Sequence, residues 1–271
     1  MATDELRRIS RKVRADVLRA TTEAGSGHPG GSLSATDILV TLYWRVLRHD
    51  PENPGWPERD RFILSKGHAA PALYAVLAER GYFPKEQLHH LREHGSMLQG
   101  HPDATRTPGV EVSSGSLGNG LSIASGIASA LKLDGRDSRV YCLLGDGECD
   151  EGLVWEAAMF AAHRKLDNLT AIVDRNGLQI DGPTEKVLAL EPLADKWRAF
   201  NWNVVCVSGH DHAKLLSAFE EARKAKGKPT AIIADTVKGK GVSFMEGVVG
   251  FHGKACTPAE LDTACKELEG D

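Results

Sequence analysis

The sequence predicts an α/β protein with a mainly parallel sheet flanked by helices. Two observations carry that expectation. Helix-like and strand-like segments alternate along the chain, and the strand-like segments are continuous apolar runs rather than alternating ones. A strand covered on both faces has no solvent side to mark with polar residues. Such strands belong to parallel sheets wrapped by helices.

Each element follows in order. Residues 4–23 place Leu6, Ile9, Val13, Val17 and Leu18 near helical spacing among Arg, Lys and Glu, which predicts an amphipathic helix. A second helix is expected over 34–47, ending before the Pro/Gly-rich stretch 50–57. Residues 61–64 (Arg-Phe-Ile-Leu) read as the first strand. Pro71 near the start and Gly81 at the end bracket a third helix. Further strands are expected at 140–144, 169–173, 203–207 and 230–234. Helices at 153–166, 190–200 and 211–226 separate them into βαβ units. Thr257-Pro-Ala-Glu260 reads as a capping box with Pro at the first position, opening a closing helix over 257–268. No break in composition marks a linker, so residues 1–271 are read as a single domain.

Composition removes several classes of function. The chain has 271 residues, 33 basic and 37 acidic, for a net charge of −4, and 41% are hydrophobic. That is enough apolar material for a core and argues against disorder. The near-neutral balance argues against a general nucleic-acid binder. The five cysteines (Cys142, Cys149, Cys206, Cys256 and Cys265) are an odd number without a CxxC pair. They suit a reducing cytoplasm and exclude a disulfide scaffold or zinc knuckle. The first residues have no apolar stretch of a signal peptide, and no apolar run approaches the ~20 residues of a membrane span. A cytoplasmic protein with no membrane and no nucleic-acid partner is expected.

Three long Gly-rich loops, 100–120, 174–186 and 236–254, are candidates for function. The last two follow strands, and open parallel sheets bind ligands at the carboxyl ends of their strands. Some patterns can be set aside. Gly25-Ser-Gly27-His-Pro-Gly30 matches GxGxxG, but it follows a helix and contains Pro, so it is no dinucleotide fingerprint. A P-loop and a GxSxG elbow are absent. Asp146, Glu148 and Asp150 begin like a calcium loop, but Gly152 comes one place late and Ala157 stands where Glu is needed.

What remains is Gly145-Asp146-Gly147 directly after one strand, and Asp174-Arg-Asn176 at the end of the next. Adjacent parallel strands would set Asp146 beside Asn176. A carboxylate, an amide oxygen and a loop carbonyl make a hard oxygen site suited to Mg²⁺ with phosphate oxygens and water. The helix that follows Asp146 points its N-terminus the same way, which suits an anion. Either piece alone reads as a turn; the two at this spacing do not. The histidines add weight. Four of the eleven, His28, His68, His101 and His210, follow a glycine, more than an even scatter of 28 glycines would give. Glycine beside an imidazole lets a ligand approach both ring and backbone. His163 reads as a structural residue within a helix, and His49, His89, His90 and His94 as surface or turn residues. His210 and His212 sit in a turn and read as helix-capping residues.

Gly145-Asp-Gly147, 28 residues, then Asn176 resembles the thiamine-diphosphate motif, with Arg175 departing from its first Asn. Ser26-Gly-His28-Pro29-Gly-Gly, Ser65-Lys-Gly-His68, Gly100-His101-Pro102, Gly115-Ser-Leu-Gly118-Asn-Gly120 and Phe251-His252-Gly253 each resemble a transketolase signature, in the family's order. The resemblance covers essentially the whole chain.

It implies the diphosphate-binding (PP-domain) fold, thiamine diphosphate, and Mg²⁺ with Ca²⁺ or Mn²⁺ as substitutes. It implies Asp146, Asn176 and the Leu178 carbonyl as metal ligands. Gly147 and Lys238 would meet the diphosphate, with Lys240 competing for the latter role. Gly115, Ser116 and Leu117 would lie against the aminopyrimidine, and Gln179 and Ile180 against the thiazolium. His68 and His252 would neutralise phosphate and move protons, while His28 and His101 would bind the ketose donor. Gly31 stands where animal-type members carry Ser, with Ser32 as a substitute to be weighed. Glu151 and Glu156 resemble the acidic pair that meets an activating Glu across a domain interface; helix-start carboxylates are an equal reading. That activating Glu belongs to a pyrimidine-binding domain, and this chain ends soon after His252.

The expectation is therefore the N-terminal subunit of a split transketolase of the pentose phosphate kind. It would transfer a two-carbon ketol unit between sugar phosphates. A separate C-terminal subunit would complete it, in a heterotetramer with two copies of each. Alternatives are another thiamine-diphosphate enzyme, a transketolase for an unusual sugar, and a non-catalytic regulatory subunit that keeps the cofactor contacts.

Overall fold

The computed structural model describes residues 3–270. The chain opens with α1 (Thr3–Glu23) and α2 (Pro29–Thr41), which winds on through a wider π turn at Leu42–Val46. Strand β1 (Arg61–Leu64) leads through a short turn into α3 (Ala70–Glu79). Then come α4 (Asn119–Leu133), β2 (Val140–Gly145), α5 (Gly152–His163) and β3 (Leu169–Arg175). A small hairpin, β4 (Leu178–Gln179) and β5 (Gly182–Pro183), precedes α6 (Thr184–Val187) and α7 (Leu193–Ala199). The last part holds β6 (Asn203–Ser208), α8 (His212–Lys224), β7 (Thr230–Asp235) and α9 (Pro258–Gly270).

The five long strands form one sheet in the order β1-β2-β3-β7-β6, and every pairing is parallel. Alternate strand residues feed two separate cores. Phe62, Leu64, Tyr141, Leu143, Ile172 and Ile232 pack with α1, α2, α3 and α8. Ile63, Cys142, Leu144, Ala171, Val173 and Ile233 pack with α4, α5 and α7. Period-two side-chain alternation with apolar residues on both faces accounts for the continuous apolar runs. β6 is the exception: it is an edge strand, only partly covered, with Cys206 exposed.

The structure shifts some predicted boundaries. α2 begins at Pro29, five residues before the expected start, because Pro fits the first helical position and burial of the whole helix overrides the cost of Gly30 and Gly31. α4 was not predicted. Its many Gly, Ala and Ser residues blunt the apolar period that would reveal it. The capping box at α9 is present: Thr257 N–H donates to Glu260 Oε2 at 2.7 Å, and Glu260 N–H donates to Thr257 Oγ1 at 3.3 Å.

Candidate active site

Registry places the site. Gly145 of β2 lies opposite Asp174 of β3, which lies opposite Ala234 of β7. The three chain segments leaving these strands, at Asp146, Asn176 and Thr236–Lys238, therefore emerge side by side. Gly177 N–H donates to Asp146 Oδ2 at 2.6 Å and Gly147 N–H to Asp146 Oδ1 at 2.9 Å. Leu178 N–H donates to Asn176 Oδ1 at 3.2 Å.

Four histidines from distant segments close over these strand ends. The ring of His28, just before α2, lies 5.4 Å from that of His68, 6.4 Å from His101 and 5.7 Å from His252; His68 and His252 stack at 5.1 Å. With them a cavity of about 310 Å³ is lined by Gly115, Leu117, Asp146, Gly147, Asn176, Leu178, Gln179, Ile180 and Lys238. All of these were predicted. Ser116 is turned aside, its carbonyl and hydroxyl taken by the Asn119 amide at 3.2 and 2.9 Å. Glu151 and Glu156 are exposed at the start and on the surface of α5, outside the lining.

Lys238 lines the cavity and Lys240 does not. Lys238 is buried, and its Nζ donates to the Leu178 carbonyl at 3.1 Å and to His252 Nδ1 at 2.8 Å. Lys240 pairs instead with Glu246 at 3.0 Å. Ser32 does not stand in for a serine at 31: it is fully buried and its hydroxyl donates to the His28 carbonyl at 2.8 Å. A Cβ at Gly31 would lie 3.2 Å from His68 Nε2.

Several site residues escaped the sequence reading. Lys66, 1% exposed, donates to Asp174 Oδ2 and to the Gly31 carbonyl at 3.0 Å. Asp174 also accepts from Ser34 at 2.7 Å and from Thr236, joining α2, β1, β3 and the loop after β7 beneath the cavity. Glu148 is buried and accepts from Gly118 N–H and Gly145 N–H, each at 2.9 Å, and from Ser65. It fixes the 115–118 loop to the end of β2. Their signal was adjacency: Lys66 precedes Gly67-His68, and Glu148 follows Gly147. Arg175, where the motif has Asn, donates to Asp146 Oδ2 at 3.0 Å and to Glu191 at 3.0 Å. It braces the Asp146 carboxylate against the 184–191 segment.

Other histidines correct the reading. His49 is part-buried between the Tyr82 hydroxyl and the Tyr43 carbonyl, not a free surface residue. His163 is exposed at the end of α5 rather than satisfied within it. Neither His210 nor His212 caps α8; Asp211 does, accepting from Ala213 and Lys214. His212 is buried against Thr41 and Ser10, at 2.8 and 3.3 Å.

The electrostatics describe a pocket made for an anion. His28 is pushed down to about 4, first by burial and then by the charges of Arg92, His101 and Lys238. His252 falls to about 3, by burial first and then by Lys238, His28 and Lys66. Lys238 falls to about 8, by burial and then Lys66, against the opposing charges of Asp174 and Asp146. His68 is lowered by burial and its neighbours, and His101 by burial and Arg92. A polyanion bound here would raise these pKa values, so anion and proton binding favour each other. Buried polar atoms also lack partners here, namely His28 Nδ1 and Gln179 Nε2. Asp146 is raised by burial and then by the charge of Asp174, partly offset by its hydrogen bonds. Such a carboxylate welcomes a cation. The residues present thus fit a ligand carrying phosphates at one end and a metal beside them.

Fold and pocket together define an α/β cofactor-binding domain whose ligand sits at the carboxyl end of a parallel sheet. The family model described as "Transketolase, thiamine diphosphate binding domain" matches residues 6–270. The chain belongs to the transketolase family. It is 50% identical to the 6-deoxy-6-sulfo-D-fructose transketolase subunit SqwG of Clostridium sp. (strain MSTE9), covering 94% of this chain and 95% of that one. It is 42% identical to an apulose-4-phosphate transketolase subunit of Phocaeicola vulgatus, covering 99% and 95%. The crystal structure of the Campylobacter jejuni transketolase superposes with a TM-score of 0.94 at 35% identity. That match covers 99% of this chain but 43% of that one. Among the described residues, no helix is long and apolar enough to cross a membrane.

Proposed function

We propose that this chain is the cofactor-binding subunit of a split, cytoplasmic transketolase that moves a two-carbon ketol unit from a ketose phosphate to an aldose phosphate. The observation that carries this reading is the meeting of His28, His68, His101 and His252 over the Asp146–Asn176 strand ends, in a chain of this family. Asp146, Asn176 and the Leu178 carbonyl would hold Mg²⁺, completed by phosphate oxygens and water.

Bound thiamine diphosphate supplies the electron sink for breaking a ketose C–C bond. The chain supplies position and protons. Lys238 offers a cationic donor to the diphosphate, and the lowered imidazoles of His68 and His252 beside it would meet the diphosphate as neutral groups whose pKa values a bound anion raises. Gly147 lets the backbone approach it. Gly115 and Leu117 would lie against the aminopyrimidine, and Gln179 and Ile180 against the thiazolium. His28 is neutral near pH 7, so its ring can accept or donate at the donor's carbonyl and hydroxyls, with His101 beside it.

Completion by a C-terminal subunit is supported by two facts. The relatives that this chain covers almost end to end are named as subunits, whereas it spans 43% of the Campylobacter jejuni enzyme. Apolar side chains also stand exposed at the cavity mouth, Leu117 at 37% and Ile180 at 69%, and on α5, Met159 and Phe160. Glu151 and Glu156, on the surface of the same helix, would face that partner in a heterotetramer. The relatives' names favour a second reading, in which the sugar is an unusual one.

The test mixes this chain with the C-terminal subunit, thiamine diphosphate and Mg²⁺ and follows ketol transfer from xylulose 5-phosphate and from sulfonated or branched ketoses. Activity requiring both chains is expected. Cofactor binding without transfer from any donor would favour a regulatory subunit. Asp146→Ala should abolish Mg²⁺-dependent cofactor binding, and unaltered binding would sink the metal assignment.

A further inference from the structure

Lys238 is tied to the scaffold from behind the pocket wall. His210, in the turn between β6 and α8, has 15% of its side chain exposed. Its Nε2 accepts the Val237 amide at 2.8 Å, and its Nδ1 lies 2.8 Å from Asp37 Oδ2. An amide N–H can only donate, so Nε2 is unprotonated and the ring proton sits on Nδ1, donated to Asp37. Asp37, on α2, is gripped by Arg14 of α1 at 2.7 and 3.2 Å, and Arg14 also donates to the Leu33 carbonyl at 3.1 Å. Val237 is the residue before Lys238. On either side of it the backbone is held by Thr236 N–H to the Arg175 carbonyl and Gly239 N–H to the Gly30 carbonyl, each at 3.0 Å. The imidazole is the acceptor for the amide between these two anchors. Without it that amide loses its partner in a part-buried place, and the segment that aims Lys238 keeps only its remaining ties, among them Lys240 N–H to the Val237 carbonyl at 3.2 Å and Gly247 N–H to the Lys238 carbonyl at 2.9 Å.

We propose that His210 is a positioning residue that aims Lys238 at the diphosphate end of the pocket through the Val237 amide. The proposal rests on the reading of Lys238 as a diphosphate contact. It differs from a merely structural role, in which His210 matters only for its grip on Asp37. Two substitutions separate the roles. His210→Asn can keep a partner for Asp37 near the Nδ1 position but falls short of Val237. His210→Gln can place an acceptor near the Nε2 position.

Thiamine diphosphate affinity is measured by calorimetry at saturating Mg²⁺, on this chain assembled with its C-terminal subunit. Thermal unfolding of each variant is followed in parallel. Lys238→Ala should weaken binding roughly ten- to a hundredfold, the range for a hydrogen bond to a charged group. His210→Asn should weaken it by about fivefold or more, and His210→Gln should restore most of that. The double variant His210→Asn/Lys238→Ala should bind no more weakly than Lys238→Ala alone, because the first change acts through the second residue. Wild-type affinity in His210→Asn, or losses that multiply in the double variant, would overturn the proposal while leaving Lys238 in place. Undiminished affinity in Lys238→Ala would overturn the reading of Lys238 and the proposal with it.

Discussion

Replacing Arg14 with methionine would strip the cation from a pair buried between α1 and α2. The side chains of Arg14 and Asp37 are 6% and 7% exposed, with a shortest contact of 2.7 Å. Burial alone would raise Asp37. The charge of Arg14, then the hydrogen bonds from His210 and Arg14, more than reverse that and hold Asp37 well below the usual carboxylate range. Methionine fills similar volume but leaves a buried carboxylate with the His210 hydrogen bond at 2.8 Å and the His212 ring at 3.6 Å. Breaking one side of a buried pair costs about 3–5 kcal/mol, which lowers the melting midpoint by roughly 6–20 °C for a chain of this size. The sign with pH follows. In the wild type the depressed pKa stabilises the fold above the unfolded value, near 3.9, and that contribution is lost as pH falls below it. In Arg14→Met the lowering cause is gone, so ionised Asp37 costs stability and acidification relieves it. The gap between the two proteins should be widest at neutral pH and narrow towards about pH 4. Urea and thermal unfolding across that range measure it, and Arg14→Met/Asp37→Asn should recover most of the loss. A gap below about 1 kcal/mol at pH 7.5, or one that widens on acidification, would refute the reasoning.

Further outcomes can be checked singly. Gly115 has φ +151°, and a Cβ there would lie 3.0 Å from the His101 ring. Gly115→Ala should cost about 1–3 kcal/mol by unfolding and lower turnover, and wild-type values would contradict the geometry. His101→Asn should reduce kcat about a hundredfold or more in the assembled enzyme with little change in cofactor affinity; equal losses would remove His101 from the donor end. Thr257→Ala should cost about 1 kcal/mol by loosening the start of α9, and an unchanged urea midpoint would show the capping box to be inert.

Much of this was legible beforehand. The apolar runs at 61–64, 140–144, 169–173 and 230–234 gave the buried strands because covering on both faces leaves its mark in composition. His28, His68, His101, Asp146 and Asn176 were legible because glycine beside histidine, and Gly-Asp-Gly at a strand end, are local patterns, whereas Gly115, Leu117, Gln179, Ile180, Lys238 and His252 were legible only through the family resemblance. What stayed hidden was of two kinds. α4 is built from small residues, so its helix rests on packing rather than period. Lys66, Glu148, Asp174 and His210 act through partners far along the chain: Ser34 to Asp174 spans 140 positions and His210 to Asp37 spans 173. A buried ion pair or a backbone latch has no sequence pattern, because its meaning lies in which strand ends meet.

The four histidines of the cavity come from positions 28, 68, 101 and 252, and the strand order sets the last-made long strand, β7, between β3 and β6. During synthesis the nascent chain can form α1–α3 and pair β1 with β2 and β2 with β3, yet the sheet keeps an open edge at β3 until β7 emerges. Until then the cavity lacks Lys238 and His252. A ribosome-bound chain is therefore exposed at that edge between the making of Arg175 and of Asp235, and blind to its cofactor for most of its synthesis, and unpaired parallel strands invite misassembly. Thiamine diphosphate can reward only a chain that is nearly complete, so cofactor supply would protect the finished fold without speeding its making.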